Sequence, residues 1–309
     1  MLPHSSALAC IRDCYAHFER HTVSTHDGKC ITTYEIGSPG APVVVIINPI
    51  GVPLLVVSRL ALQLAARHRV VCWEQRGFGE NSVTFLDTRH EYVDYVADVL
   101  DVVSQRADSL AAVIGVCSGA SLAIKAAALG SMQPHKLLLV SPAIFFGDGY
   151  IPSQFDTSVS PFMRMIDGTN RGLAEDLIDL RMSSRRTNGE QEVTDLEVMD
   201  AADTMSVASI DSLLVYSRIV RVFTDQKLDR ELASTRSLVH VFATQDDATV
   251  SIRSTRRLCQ LLPNAVLHEF AQGGHFSLYT RCDVRDAIGG IVDRMPRNHA
   301  TPLERTVGS

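Results

Sequence analysis

Short, strongly apolar segments alternate with amphipathic segments along the chain, and this alternation constrains the fold more than any other feature. Strands that are apolar along their whole length are typical of parallel sheets with both faces covered. Because helical patterns separate these segments, the sequence predicts an α/β fold with a mostly parallel central sheet and helices on both faces. The six segments are residues 43–48, 69–74, 110–116, 136–140, 238–243 and 266–270.

The alternation is interrupted once, and the interruption defines the predicted domain organisation. Residues 144–234 carry mainly helical patterns, for example at 173–181 and 211–222. We interpret this stretch as a helical cap inserted into a core formed by residues 1–143 and 235–309. Near the start of the chain, residues 23–36 have the pattern of a β-hairpin that turns at residues 26–29.

Charge and hydropathy exclude several classes of protein. The 309 residues include 29 Lys and Arg against 35 Asp and Glu, for a net charge of −6. No basic run stands out, which argues against a nucleic-acid partner. The longest mainly apolar stretch, residues 42–57, is interrupted by Asn48, Pro49, Gly51 and Pro53, and a bilayer span needs roughly 20 apolar residues. We therefore expect no membrane association.

The N-terminal sequence and the cysteines bear on the compartment. The first residues lack a basic start followed by an apolar core, so no export signal is visible. Seven cysteines is an odd number. Free thiols in a reducing compartment are therefore expected rather than a disulfide framework, and we expect a cytoplasmic protein.

A glycine-rich turn is the strongest indication of chemistry. The segment Gly115-Val116-Cys117-Ser118-Gly119 follows a predicted strand and precedes an alanine-rich helix. The central residue of a G-x-X-x-G turn is held on a tight bend at the N-terminus of the next helix. That position favours an anion and therefore a thiolate. Cys117 is the candidate nucleophile. Ser118 lies one position away from the centre and is a candidate oxyanion donor through its backbone N–H.

Two later segments supply candidates for a base and an acid. His275 follows Gly273 and Gly274 after the last predicted strand, and Asp246 and Asp247 follow the strand before it. A base must contact the nucleophile, and a carboxylate must orient the base. We favour Asp247 because Val250 follows three residues later as a packing residue, and Asp246 remains the alternative.

Together these motifs resemble the α/β-hydrolase superfamily over residues 22–145 and 235–295. The similarity includes the residues 48–51, the segment 74–79, the elbow at Cys117, and then Asp247 and His275 in that order. It implies an α/β-hydrolase fold and an oxyanion hole formed by the backbone N–H groups of Ile50 and Ser118. The chain departs from the family pattern in having Asn48-Pro49 before Ile50, and cysteine in place of the usual serine.

Cysteine at the elbow favours acyl transfer over hydrolysis. An acyl group on Cys117 is a thioester, which can pass to another thiol without losing its activation. The chain is similar to the cysteine-dependent acyl and aminoacyl transferases of nonribosomal peptide and polyketide biosynthesis, pathways that make antibiotics. This resemblance implies acyl or peptidyl carrier proteins as partners, their phosphopantetheine arms as substrate, and no cofactor.

Two other functions remain open. A thioesterase or a dienelactone-type hydrolase would also use a cysteine nucleophile. A binding protein on a hydrolase scaffold would not need a reactive thiol. No metal site is expected, because Cys10, Cys14, His17 and His21 are spread too far along one predicted helix to surround an ion. A cluster of three arginines could dock an acidic carrier protein or could equally be exposed cap surface: Arg181, Arg185 and Arg186.

Overall fold

The central element of the structure is an eight-stranded sheet. The computed structural model describes residues 12–82, 90–130, 132, 134, 136–185, 205–206 and 208–294. The strand order is β1-β2-β4-β3-β5-β6-β7-β8. The strands are β1 (Glu19–Ser24), β2 (Cys30–Ile36), β3 (Val43–Ile47), β4 (Arg69–Trp73), β5 (Leu110–Val116), β6 (Lys136–Val140), β7 (Leu238–Thr244) and β8 (Ala265–Phe270).

Most neighbouring strands run parallel. β1 and β2 form an antiparallel hairpin, β2 pairs antiparallel with β4, and every pairing from β4 to β8 is parallel. All five residues of β3 are buried, as expected for a strand covered on both faces. The predicted α/β-hydrolase fold, with its mostly parallel sheet, is confirmed.

Helices cover both faces of the sheet, and two hydrophobic clusters lie between. The α2 and α3 helices pack on one face, whereas α1 and α10 pack on the other. The α-helices are α1 (Leu55–Leu64), α2 (Tyr92–Arg106), α3 (Ser118–Ala128), α4 (Ser160–Ile166), α5 (Arg171–Arg185), α6 (Ile210–Thr224), α7 (Asp229–Ser234), α8 (Ile252–Leu261), α9 (Ser277–Thr280) and α10 (Cys282–Asp293).

Several element boundaries differ from the sequence patterns. The apolar spacing over residues 87–105 predicts a helix. Residues 83–89 lie outside the described part, and α2 begins at Tyr92 after a capping box between Glu91 and Asp94. The pattern over residues 281–294 also predicts one helix. In the structure α10 covers most of this range, and the short α9 precedes it because the chain turns at Arg281.

The segment between β6 and β7 is helical where it is described. Helices α4, α5, α6 and α7 lie in it, and α4 and α6 contribute Met163, Leu213 and Val220 to the same hydrophobic cluster as the core helix α3. We propose this segment, residues 144–234, as the cap; residues 186–204 and 207 lie outside the described part. Within the described residues, no helix is both long and apolar enough to cross a membrane.

Candidate active site

Cys117 occupies a strained turn between β5 and α3. Its backbone has φ 51° and ψ −118°, a conformation that is rare for a residue with a side chain. A Cβ at Gly119 would lie 2.2 Å from the carbonyl oxygen of Ile47, and one at Gly115 would lie 2.6 Å from Cα of Ala120. Both glycines are therefore required by close backbone contacts around the turn.

The turn is fixed to neighbouring strands by backbone hydrogen bonds. The N–H of Cys117 donates to the carbonyl of Val140 at 2.9 Å, and the Cys117 carbonyl accepts from the N–H of Ala143 at 3.1 Å. These bonds hold Cys117 at the carboxyl end of the sheet, where ligands bind in open parallel α/β folds.

His275 lies in the loop that follows β8, and Asp246 shapes this loop. The carboxylate of Asp246 accepts the N–H groups of Gly273 at 3.0 Å and Gly274 at 2.9 Å. These two bonds lower the pKa of Asp246, although burial alone would raise it. Asp246 therefore contacts the backbone before His275 rather than the imidazole.

Asp247 contacts the imidazole of His275 directly. Nδ1 of His275 lies 2.9 Å from Oδ2 and 3.2 Å from Oδ1 of Asp247. Oδ1 also accepts the N–H groups of Thr249 at 2.8 Å and Val250 at 2.9 Å. The Asp247 carboxylate is buried and fixed at both oxygens, so it can hold the orientation of the ring.

The charges around His275 favour its protonated form. Burial lowers the pKa of His275, but the nearby Cys117 and Asp247 charges, with hydrogen bonds to both side chains, raise it to about 10. The structure thus places Cys117 close to His275, whose ring is hydrogen-bonded to Asp247. At neutral pH His275 is therefore held as an imidazolium next to Cys117.

The two predicted oxyanion donors also lie beside Cys117, but one of them already has an acceptor. The N–H of Ile50 donates to Oγ of Ser118 at 2.9 Å. In the described part of the chain, the Ser118 N–H has no recorded acceptor. The loop carrying Ile50 is held by Asn48, whose carbonyl accepts from the Gln75 side chain at 2.9 Å and whose amide donates to Val52 at 2.5 Å.

A cavity of about 330 Å³ opens next to Cys117, Ser118 and His275. This volume is near the lower end of the range for small-molecule sites. Three ionisable residues line it beyond Cys117 and His275: Tyr216, Tyr150 and Asp156. Tyr150 donates its hydroxyl to Asp156 at 2.7 Å. The rest of the lining is mainly apolar and comes from both core and cap: Ile50, Val52, Val56, Ile144, Phe145, Phe146, Phe155, Met163, Leu177, Val220, Phe223 and Leu258.

The sequence patterns missed the aromatic part of this cavity. Phe145, Phe146 and Tyr150 lie in the loop after β6, and the ring of Tyr150 contacts both phenylalanine rings. Their position after a parallel strand was the available signal, because the carboxyl ends of such strands meet at one edge of the sheet.

Several charged residues away from this cavity are paired with one another. Arg76 is fully buried and forms ion pairs with Asp98 and Asp27. His26, Asp98 and Asp101 place possible metal ligands within 4.8 Å of one another, a grouping that the sequence did not predict, but Asp98 is already paired with Arg76. Cys10, Arg186 and the side chains of Arg181 and Arg185 lie outside the described part.

Comparison with known proteins identifies the family. A model of the alpha/beta hydrolase family matches residues 44–287. The chain belongs to this family. A search of curated proteins found no match.

Solved structures with the same fold cover nearly the whole chain. A membrane phospholipase A, titled a bacterial virulence factor, superimposes with a TM-score of 0.70 at 18% identity over 94% of this chain and 90% of that chain. An esterase from Exiguobacterium antarcticum superimposes with a TM-score of 0.68 at 16% identity, over 89% of this chain and 100% of that chain. An enol-lactonase from Burkholderia xenovorans LB400 superimposes with a TM-score of 0.66 at 16% identity, over 88% of this chain and 98% of that chain. At such low identity these similarities show the fold alone.

Proposed function

We propose that this α/β hydrolase cleaves an ester or thioester of an apolar acyl group through a thioester on Cys117. The observation that carries the proposal is that Cys117 and His275 line one mainly apolar cavity, with the His275 ring oriented by a hydrogen bond to Asp247. The similar structures named above, a phospholipase A, an esterase and an enol-lactonase, support cleavage of ester-type bonds.

The first half-reaction forms the acyl-enzyme. Sγ of Cys117 attacks the carbonyl carbon, and the carbonyl electron pair moves to oxygen. The tetrahedral intermediate then expels the alcohol or thiol, which takes its proton from His275. Asp247 keeps Nδ1 protonated, so that Nε2 is the atom that exchanges the proton.

The second half-reaction uses the same imidazole as a base. The negative charge of Cys117 is the largest influence that raises the pKa of His275. Acylation removes this charge, so the pKa falls and the neutral ring can take a proton from an incoming nucleophile. With water as the nucleophile, the products are a free acid and the regenerated thiol.

The cavity supports a proposal about the acyl group. Its mainly apolar lining favours burial of hydrocarbon. The carboxylate of Asp156 would repel an anionic acyl group, and apart from His275 no basic residue lies among the described lining residues. We therefore propose an uncharged acyl chain of moderate size, with the cap segment forming part of its binding site.

A second candidate is transfer to a thiol, and the cysteine itself favours it. A Cys117 thioester can react with the phosphopantetheine thiol of an acyl or peptidyl carrier protein at little energetic cost. In that case the carrier arm is a substrate and no resident cofactor takes part.

One time course separates the two candidates. The protein is incubated with an acyl pantetheine thioester, with and without an acceptor thiol or carrier protein, and free acid and transferred product are measured. Hydrolysis predicts free acid as the main product with or without the acceptor. A dominant acceptor product would decide for transfer. No acylation of Cys117 by esters or thioesters would refute both.

A further inference from the structure

The Ile50 N–H is already occupied in the candidate oxyanion hole. It donates to Oγ of Ser118 at 2.9 Å, and both residues are buried. An N–H makes one strong, nearly linear hydrogen bond. While this bond exists, Ile50 cannot be a full-strength donor to a substrate oxyanion. Pro49, the neighbouring residue, has no N–H to replace it.

The Ser118 hydroxyl lies at the same place and carries a hydrogen of its own. A hydroxyl can accept one hydrogen bond and donate another. Oγ of Ser118 accepts from Ile50, and no acceptor for its own hydrogen is recorded within the described residues. Because Ser118 lines the cavity beside Cys117, this hydrogen can point to the carbonyl oxygen of a bound acyl group.

We propose that the Ser118 hydroxyl is a catalytic oxyanion donor, polarised by the Ile50 N–H that it accepts. Ser118 then supplies two donors, its backbone N–H and its hydroxyl, while Ile50 acts through the hydroxyl. Hydrogen bonds in such a chain strengthen one another, since each donor is also an acceptor. This inference rests on the proposed acyl chemistry of Cys117.

Ser121 provides a matched control on the same helix. It is also a buried serine of α3, and its hydroxyl donates to the Ser118 carbonyl at 2.7 Å. Ser121→Ala therefore removes a buried hydroxyl next to Ser118 without removing a group that can reach the oxyanion.

The test compares acylation with alkylation of the same thiol. Acylation by an ester passes through an oxyanion, whereas alkylation by iodoacetamide does not. We expect Ser118→Ala to slow acylation by about 10²-fold, the lower end of the effect of losing one oxyanion donor. The loss should fall on kcat rather than KM. Alkylation of Cys117 should be unchanged, Ser118→Thr should restore most of the rate, and Ser121→Ala should behave like the native protein.

Three outcomes would overturn the inference. Acylation by Ser118→Ala at the native rate or faster would mean that the hydroxyl only fills the hole in the free protein. A parallel loss of alkylation would place the effect on Cys117 itself. Absence of native acylation would refute the proposed function and this inference with it, whereas the first two outcomes leave the proposed function intact.

Discussion

Replacing Asp247 with asparagine tests how the imidazole is oriented. Oδ1 of Asp247 accepts the N–H groups of Thr249 and Val250, so the amide oxygen of the variant should keep that position. The amide nitrogen then replaces Oδ2, the oxygen 2.9 Å from Nδ1 of His275. An NH₂ group there donates to Nδ1 and forces the proton onto Nε2. This tautomer cannot accept a proton from Cys117.

The expected size of the effect separates two explanations. Loss of one hydrogen bond to a charged group costs about 1.5–3 kcal/mol, or about 10- to 150-fold in rate. The wrong tautomer in a triad costs about 10⁴-fold, equivalent to about 5.5 kcal/mol. We expect Asp247→Asn to approach the larger value, because the contacts of Oδ1 fix which amide atom faces the ring.

The assay measures single-turnover acylation by a nitrophenyl ester. The rate is monitored through the release of nitrophenolate, the leaving group. Asp246→Asn is the control, since its carboxylate bonds to the N–H groups of Gly273 and Gly274 instead of the ring. The Asp246→Asn variant loses one hydrogen bond to a neutral donor, so we expect its acylation rate to fall by about tenfold or less. Thermal unfolding checks that both variants fold. Equal effects of the two substitutions would refute the tautomer argument.

Three further predictions concern Cys117, His275 and Gly119. Cys117→Ser should form an oxygen ester that is a poorer acyl donor, so the ratio of transfer to hydrolysis falls; an unchanged product ratio would contradict this. Cys117→Ala should lower the pKa of His275, measured by NMR of the ring, because the Cys117 charge is the largest influence raising it to about 10. Since the pKa of His275 is raised in the folded state, the imidazolium stabilises the fold fully below about pH 6.5, and this contribution is lost as the pH rises through about 10; an identical His275 pKa in both proteins would contradict this reasoning. Gly119→Ala should lower the free energy of unfolding by about 1–3 kcal/mol in urea, because the new Cβ meets the Ile47 carbonyl, whereas Gly40→Ala, with open space around it, should change it little.

The sheet could be predicted because a strand that is buried on both faces is apolar along its whole length, and this pattern is visible in the local sequence. Each parallel strand from β3 to β7 is a short apolar run, and the hairpin of β1 and β2 has a turn at residues 26–29. Helix boundaries were less well predicted, since the break at Arg281 depends on packing between α9 and α10 rather than on local composition.

The site was predictable only where its residues follow strand ends. Cys117, Asp247 and His275 have local motifs that place them at one edge of the sheet, and in the structure His275 is bonded to Asp247 and lines the same cavity as Cys117. The bond from Ile50 to Ser118 joins residues 68 positions apart and depends on how a loop packs against a helix. The position of Phe145, Phe146 and Tyr150 after β6 was a local signal, but the cavity also needs residues far away in the sequence, such as Val220 and Leu258.

The most direct test of the account is the site of the acyl group during turnover. The protein is mixed with an activated acyl ester, quenched in acid and examined by intact-mass and peptide mass spectrometry. The account predicts one acyl group on Cys117, absent in Cys117→Ala together with the activity. An acyl group on Ser118, or full turnover by Cys117→Ala, would contradict it.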